Sequence, residues 1–215
     1  SSTVRLDISQ SLDETLASLH QKGRHAIRRG ERDGVRVEQV DSTDGNCQIM
    51  YRLLADTAAG SFSIRSYDYY RNFWQSFAKS GHGQLFFAHY DGQIVASAYA
   101  LIFGNKSTYK DGASIREKTV YGASHYLQWE VIKWAKSNGS LVHDLCGTPP
   151  SDKIGDQSHP HYGIGRFKTS FSKQVTDYIG VYDLPVNKLA YKIWVKIGER
   201  LTLRLHRQLH HENWY

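Results

Sequence analysis

The chain has 215 residues, 40% hydrophobic and 22% charged, which suits one domain with a real core and is too short for two ordinary ones. No apolar run of about 18 residues marks a membrane-spanning helix, no signal-peptide core is visible, and two cysteines, Cys47 and Cys146, exclude a disulfide framework, so a cytoplasmic chain with free thiols is expected. The net charge of +6 favours an anionic partner, and six basic against two acidic residues fall within 186–215 alone.

Thr3–Ile8 alternates and reads as a short strand. A helix follows from Ser11, whose Glu14 partner has capping-box spacing, with Leu12, Leu16 and Leu19 on one face. In the basic run that comes next, Gly23 and Gly30 weaken helix, so a break or two shorter helices are expected. Val35–Val40 is strand-like, and helices are predicted over Asp44–Ala59 and Tyr67–Lys79, the latter with Tyr70, Phe73, Trp74 and Phe77 on one stripe. Strands are predicted over Gln84–His89, Gln93–Phe103 and Lys106–Tyr109, joined by turns that suggest antiparallel hairpins. A helix over Ser124–Ser137 ends at the Asn138-Gly139 cap signal. Then come a strand (Leu141–Leu145), a long loop, a short helix (Gly165–Phe171), a strand (Val175–Tyr182) and, after Pro185, a long final helix. This order gives an α/β fold of the α+β type: a mostly antiparallel mixed central sheet with flanking helices, as in acetyltransferases.

Four stretches carry a resemblance. The first is the basic run from Lys22 through Arg24, Arg28, Arg29 and Glu31 to Gly34-Val35. The second is Ser63-Ile64-Arg65-Ser66-Tyr67-Asp68-Tyr69-Tyr70. The third is Tyr121-Gly122-Ala123-Ser124, leading into Leu127-Gln128-Trp129-Glu130 and Trp134-Ala135. The fourth is His143-Asp144-Leu145-Cys146-Gly147, then Gly163, Gly165 and the most specific element, Phe167-Lys168-Thr169-Ser170-Phe171. In this order they resemble the Fem family (FemA, FemB, FemX), non-ribosomal peptidyltransferases that build peptidoglycan cross-bridges from aminoacyl-tRNA. The resemblance covers about residues 3–185 and implies an acetyltransferase-like (GNAT) lobe over 1–185, similar to the second of the two lobes that family members usually carry. A basic C-terminal helix over 186–215 would follow it.

The resemblance implies Lys168 as the cation that stabilises the tetrahedral oxyanion of acyl transfer, with Phe167 ordering the site. On spacing alone, a solvated lysine and a core phenylalanine are the simpler readings. Ser63, Arg65, Tyr69 and Tyr109 are implied to hold the acceptor, a muramyl pentapeptide precursor carrying a diphosphate, which suits the planar fork of arginine. An Arg65–Asp68 ion pair and ordinary half-burial of the tyrosines are the alternatives. Asp111 and Asp144 could take the proton that the attacking amine must lose, since its reference pKa is about 10.4. Turn and cap roles are the alternative.

In the final helix Lys188, Lys192, Lys196, Arg200 and Arg204 recur every four residues beside an apolar stripe from Leu189 to Leu209. Each step of four turns about 40° around the axis, so the stripes spiral, and the apolar one reads as wrapping over curved protein surface. The basic stripe, Lys192, Lys196, Arg200 and Arg204 above all, suits tRNA phosphates; an anionic inner-membrane surface or plain solvation are the alternatives. His159 with His161, and His206 with His210 and His211, match no zinc pattern, so no metal is expected. No G-x-S-x-G, P-loop or G-x-G-x-x-G occurs. Since a tRNA ester is already activated, the resemblance implies an aminoacyltransferase without cofactor, expected as a monomer. Two alternatives stand beside it. An acyl-CoA-dependent N-acyltransferase lacks its usual (Arg/Gln)-x-x-Gly-x-(Gly/Ala) turn here. A non-catalytic RNA- or membrane-binding module would use only the final helix.

Overall fold

The structure, a computed structural model, describes residues 2–59, 62–115 and 120–210. Strand β1 (Ser2–Asp7) leads into α1 (Leu12–Ser18). Ser11 caps α1 with a complete capping box: Ser11 Oγ accepts from the Glu14 N–H, and the Glu14 carboxylate accepts from the Ser11 N–H at 2.9 Å. The expected break comes at Leu19, which is extended; His20 then caps α2 (Gln21–Arg32) by accepting from the Lys22 N–H. The glycines are not the break. A Cβ on Gly23 would lie 2.2 Å from the Ser170 carbonyl oxygen, so Gly23 lets α2 approach the chain that follows α6.

Next come β2 (Arg36–Val40), α3 (Asp44–Ala58) and α4 (Tyr67–Lys79). The meander β3 (Gly83–Tyr90), β4 (Gln93–Phe103) and β5 (Lys106–Ser114) is antiparallel, as the turn signals require. Helix α5 (Ala123–Ser137) crosses over to β6 (Val142–Thr148). Helix α6 (Tyr162–Lys168) and the short β7 (Val175–Asp177) follow. The sheet has seven strands in the order β2-β3-β4-β5-β6-β1-β7.

Every neighbouring pair is antiparallel except β5 and β6, which run parallel through Lys106–Thr108 and Val142–Asp144. Past those residues β5 continues along β4 and β6 continues along β1, so the sheet opens between their C-terminal halves. A register shift opposite Tyr99 and Ala100 leaves Lys110 as an extra residue in β5 and bends that strand. Ligands of sheets with parallel strands gather at such carboxyl ends.

Both faces are covered. Helices α1, α2 and α5 bury Val4, Leu6, Ile27, Phe86, Leu127 and Val131 on one side. Helices α3 and α4 bury Met50, Leu54, Trp74, Leu85, Phe87 and Tyr99 on the other. That double cover explains the unbroken apolar run Leu85–Ala88, where a one-sided sheet would alternate.

Several expectations are corrected. Strand β5 runs on to Ser114, because the bulge at Lys110 resets its pairing with β4 instead of ending it. β6 likewise continues to Thr148 against β1. Helix α6 starts and ends three residues early, just after Pro160, leaving Phe171 in the core beyond it. β7 stops at Asp177, whose partner is Ser2, and Ile179, Val181, Leu184 and Val186 are exposed. The final helix is present as α7 (Lys188–Ile193), a π-helical stretch (Trp194–Gly198) and α8 (Glu199–His210). Its stripe does not wrap over this domain: Leu189, Ile193, Ile197, Leu201, Leu205 and Leu209 are all exposed. His211 and the last residues of the expected 186–215 helix lie outside the described residues.

Candidate active site

Lys168 ends α6 with its side chain only 9% exposed, and its Nζ donates to the Gly147 carbonyl at 2.7 Å. Burial pushes its pKa below the usual lysine range, while neighbouring Cys146 and Asp144 pull it back up. Its target, Gly147, lies on β6 beyond the point where β5 and β6 part. Phe167, the preceding residue, is half-buried and meets His125 edge-on at 4.9 Å.

Asp144 is buried at that parting point. Its Oδ1 accepts from Thr3 Oγ1 (2.5 Å) and from the Cys146 N–H (2.8 Å), and Lys106 Nζ sits 3.6 Å from Oδ2. The Cys146 bond closes a turn in which Cys146 takes φ +60°, which bends the backbone where Gly147 offers its carbonyl to Lys168. Burial, and then Asp144, push the Cys146 thiol up from its ordinary range.

Across the opening, Asp111 accepts from Trp74 Nε1 (2.9 Å) and from Lys110 Nζ (3.1 Å). Tyr109 is held high by burial and then by Asp111 and Cys146, so its phenol stays neutral. The ring lies over Gly112, where a Cβ would come within 1.6 Å of the Tyr109 hydroxyl.

The acceptor set joins this cluster through α4. The Arg65 guanidinium sits over Tyr69 at 4.6 Å, Tyr69 stacks on Phe73 at 6.4 Å, and Lys110 Nζ lies 5.2 Å from the Phe73 ring. Contacts thus run from Arg65 through Tyr69, Phe73 and Lys110 to Asp111. Asp68 pairs with Arg71 at 2.9 Å. Ser63 is exposed in the segment before α4. Lys192, Lys196, Arg200 and Arg204 lie exposed on the C-terminal helix, outside this cluster.

The FemAB family model matches residues 3–90 and 81–197, which is most of the chain. The chain belongs to the FemAB family. It is 31% identical over 112 residues to a lipid II:glycine glycyltransferase of Staphylococcus epidermidis; the match covers 52% of this chain and 26% of that protein. A crystal structure of FemX superposes with a TM-score of 0.78 at 20% identity, over 89% of this chain and 63% of the FemX chain. An aminoglycoside acetyltransferase from an uncultured soil metagenomic sample superposes with a TM-score of 0.50 at 15% identity, over 70% of this chain and 95% of that one. The last two likenesses establish the acetyltransferase-like fold of this FemAB chain.

Several residues of this candidate site are not legible in the sequence. Thr3, Lys106 and Trp74 contact the candidate carboxylates only through the fold, and nothing local marks them. His143 opens the fourth motif stretch, but its contacts are not legible there: it is fully buried between Ser107 Oγ (2.7 Å) and the Gln128 side-chain amide (2.6 Å). That chain ties β5, β6 and α5 together where the two strands begin to part. Burial pushes His143, and also His125, down to about 4. Both folded values lie below the ordinary 6.5, so between 6.5 and 4 the unfolded chain binds more protons and stability drops as the pH is lowered. Urea denaturation should show a loss of about 2 kcal/mol per histidine between pH 7 and pH 5. His143→Gln should remove its share of that slope; an unchanged slope would mean His143 titrates alike in both states.

Proposed function

We propose that this chain supplies the catalytic lobe of an aminoacyltransferase. It would move an amino acid from aminoacyl-tRNA to the stem-peptide amine of a peptidoglycan precursor. The observation that carries the reading is the buried Lys168 amine, held by Gly147 at the opening between the two parallel strands and near Cys146 and Asp144. The matched lipid II:glycine glycyltransferase supports the acceptor class.

The amine nitrogen attacks the ester carbonyl, a C–N bond forms, and the carbonyl oxygen gathers charge. Lys168 stabilises that oxyanion in a site with little water. Asp111 takes the amine's proton, and Asp144, fixed by Thr3, holds the turn that aims Gly147 at Lys168. The C–O bond then breaks, and the tRNA ribose oxygen leaves with the proton that Asp111 took from the amine. Phe167 fixes the α6 end. Ser63, Arg65, Tyr69 and Tyr109 hold the acceptor, UDP-linked or lipid-linked, with Arg65 on phosphate. The ester is already activated, so the chemistry needs positioning and charge stabilisation and no cofactor.

The lobe over 1–185 would work with the C-terminal helix over 186–215, whose Lys192, Lys196, Arg200 and Arg204 would meet the tRNA acceptor stem. A cytoplasmic monomer touching the inner membrane face, where lipid-linked acceptors lie, fits this reading; no helix among the described residues is long and apolar enough to cross a membrane. Replacing Lys192, Lys196 and Arg200 with Gln should weaken tRNA binding and flatten its log–log salt slope by about 2 to 3. An unchanged slope would leave the stripe a solvated face. The reading itself is tested by offering charged tRNA and acetyl-CoA as rival donors to a muramyl pentapeptide. Transfer from tRNA is expected, and transfer from acetyl-CoA alone would replace the reading with an N-acyltransferase.

A further inference from the structure

Strand β5 places a lysine beside each candidate carboxylate, Lys106 at 3.6 Å from Asp144 and Lys110 at 3.1 Å from Asp111. The two pairs are not equivalent. Asp144 Oδ1 already accepts from Thr3 and from the Cys146 N–H, and Lys106 stands off at Oδ2. Asp111 divides its oxygens between inside and outside. The fully buried Trp74 donates to Oδ2 at 2.9 Å, and the exposed Lys110 donates to Oδ1. Oδ1 is therefore the oxygen through which a substrate amine can reach this carboxylate, and an amine that does so arrives next to a cation.

Lys110 is held in that place. It is the bulged residue of β5, and its ammonium sits 5.2 Å from the Phe73 ring on α4. Arg65 lies two rings away, beyond Tyr69 and Phe73. The titratable groups that feel Asp111 are Tyr70 on α4, Tyr99 on β4 and Tyr109 on β5; burial first, with Asp111 among the further causes, raises all three. From β6 the Cys146 thiol feels Lys168, Lys106 and Lys110, but burial and then Asp144 raise it. None of these four is driven toward its charged form, so Asp111 and the lysines are the charges an incoming amine meets.

A side-chain amine has a reference pKa of about 10.4, so the acceptor reaches the site as an ammonium, which has no lone pair to attack with. A carboxylate alone makes this worse, because an opposite charge favours the protonated form. A cation at the same oxygen does the reverse, since like charges at close range disfavour one another.

We propose that Lys110 is a positioning residue that keeps the acceptor amine neutral at Asp111, an assignment that rests on the acceptor reading above. One N–H bond of the ammonium breaks, the proton goes to solvent at the exposed side, and the electron pair stays on nitrogen. Asp111 remains a carboxylate and takes the next proton during attack. Trp74 fixes Oδ2, so Oδ1 keeps its aim. Lys106 has no such part, because its carboxylate is occupied in holding the Cys146 turn.

The test titrates a UDP-linked muramyl pentapeptide whose third residue is a lysine, isotope-labelled at the side-chain nitrogen, free and bound to the whole chain, by nitrogen NMR. Bound to wild type, the amine should titrate below its free value. Lys110→Met should raise the bound value by about one pH unit or more. Lys110→Arg should keep it low, since arginine retains the charge. Lys106→Met should leave it in place. Lys110 is exposed, and unchanged thermal unfolding would confirm that its variants fold. An equal bound value in wild type and Lys110→Met, or an equal rise with Lys106→Met, would overturn the role of Lys110. A wild-type bound value above that of the free peptide would overturn it too. The expected shifts in a chain that transfers nothing from charged tRNA would keep Lys110 and sink the donor reading. A pentapeptide that fails to bind would sink the acceptor reading and Lys110 with it.

Discussion

Lys168→Ala should lower amino acid transfer by about 100-fold or more while the protein stays folded. The expectation follows from where the charge sits. An amine in water stabilises an oxyanion weakly; one held in a buried site acts at low dielectric and needs no reorganisation during reaction. Lys168 is 9% exposed and anchored to Gly147, so it is fixed before substrate arrives. Its removal relieves the burial of a charge and leaves one backbone carbonyl without that donor, two effects that oppose each other in stability. The pH dependence is the sharper signature. Burial lowers the Lys168 pKa, so its positive form is lost at lower pH than for an ordinary lysine. Activity should therefore fall on the alkaline side earlier than a free lysine would dictate. Lys168→Arg should retain partial activity and move that limb upward, because arginine stays charged. A purely structural lysine would shift neither limb.

Gly122→Ala should destabilise the domain by about 3 kcal/mol, lowering Tm by roughly 6 to 12 °C. Gly122 starts α5 at φ +91°, and a Cβ there would meet the Ala26 carbonyl oxygen at 2.1 Å, while a Cβ on Gly30 would meet the Gly122 carbonyl oxygen at 2.8 Å. The two backbones touch with no side chain between them. Gly139 is the control: φ is +85° but nothing lies within 4 Å of a Cβ, so Gly139→Ala should cost only the backbone strain, about 1 kcal/mol. Equal losses at the two positions would show that the α2–α5 contact carries no weight.

The sequence made the periodic parts of this fold legible. Ser11 with Glu14, the aromatic stripe of α4, the hairpin turns and the Asn138-Gly139 cap are local signals, and the elements they announce are present. What failed was non-local. Gly23 and Gly30 looked like helix breakers because propensity does not register a neighbouring backbone. The length of β5 depended on a bulge at Lys110, and the end of β7 on its register against Ser2. The candidate site divides the same way. Lys168 and Arg65 are candidates because motifs mark them. Trp74 on Asp111 and Thr3 on Asp144 join residues far apart in the chain, and Cys146 gave no sign of its positive φ. The spiralling stripe of the last helix was correctly seen, yet the spiral says nothing about what covers it, and here its leucines are exposed.

The most direct measurement follows labelled amino acid from charged tRNA onto a muramyl pentapeptide, with wild-type chain and Lys168→Ala side by side. The wild type should give a labelled, amide-linked product and the variant about 100-fold less at equal folded fraction. Equal product from both proteins, or product formed only from acetyl-CoA, would contradict this expectation.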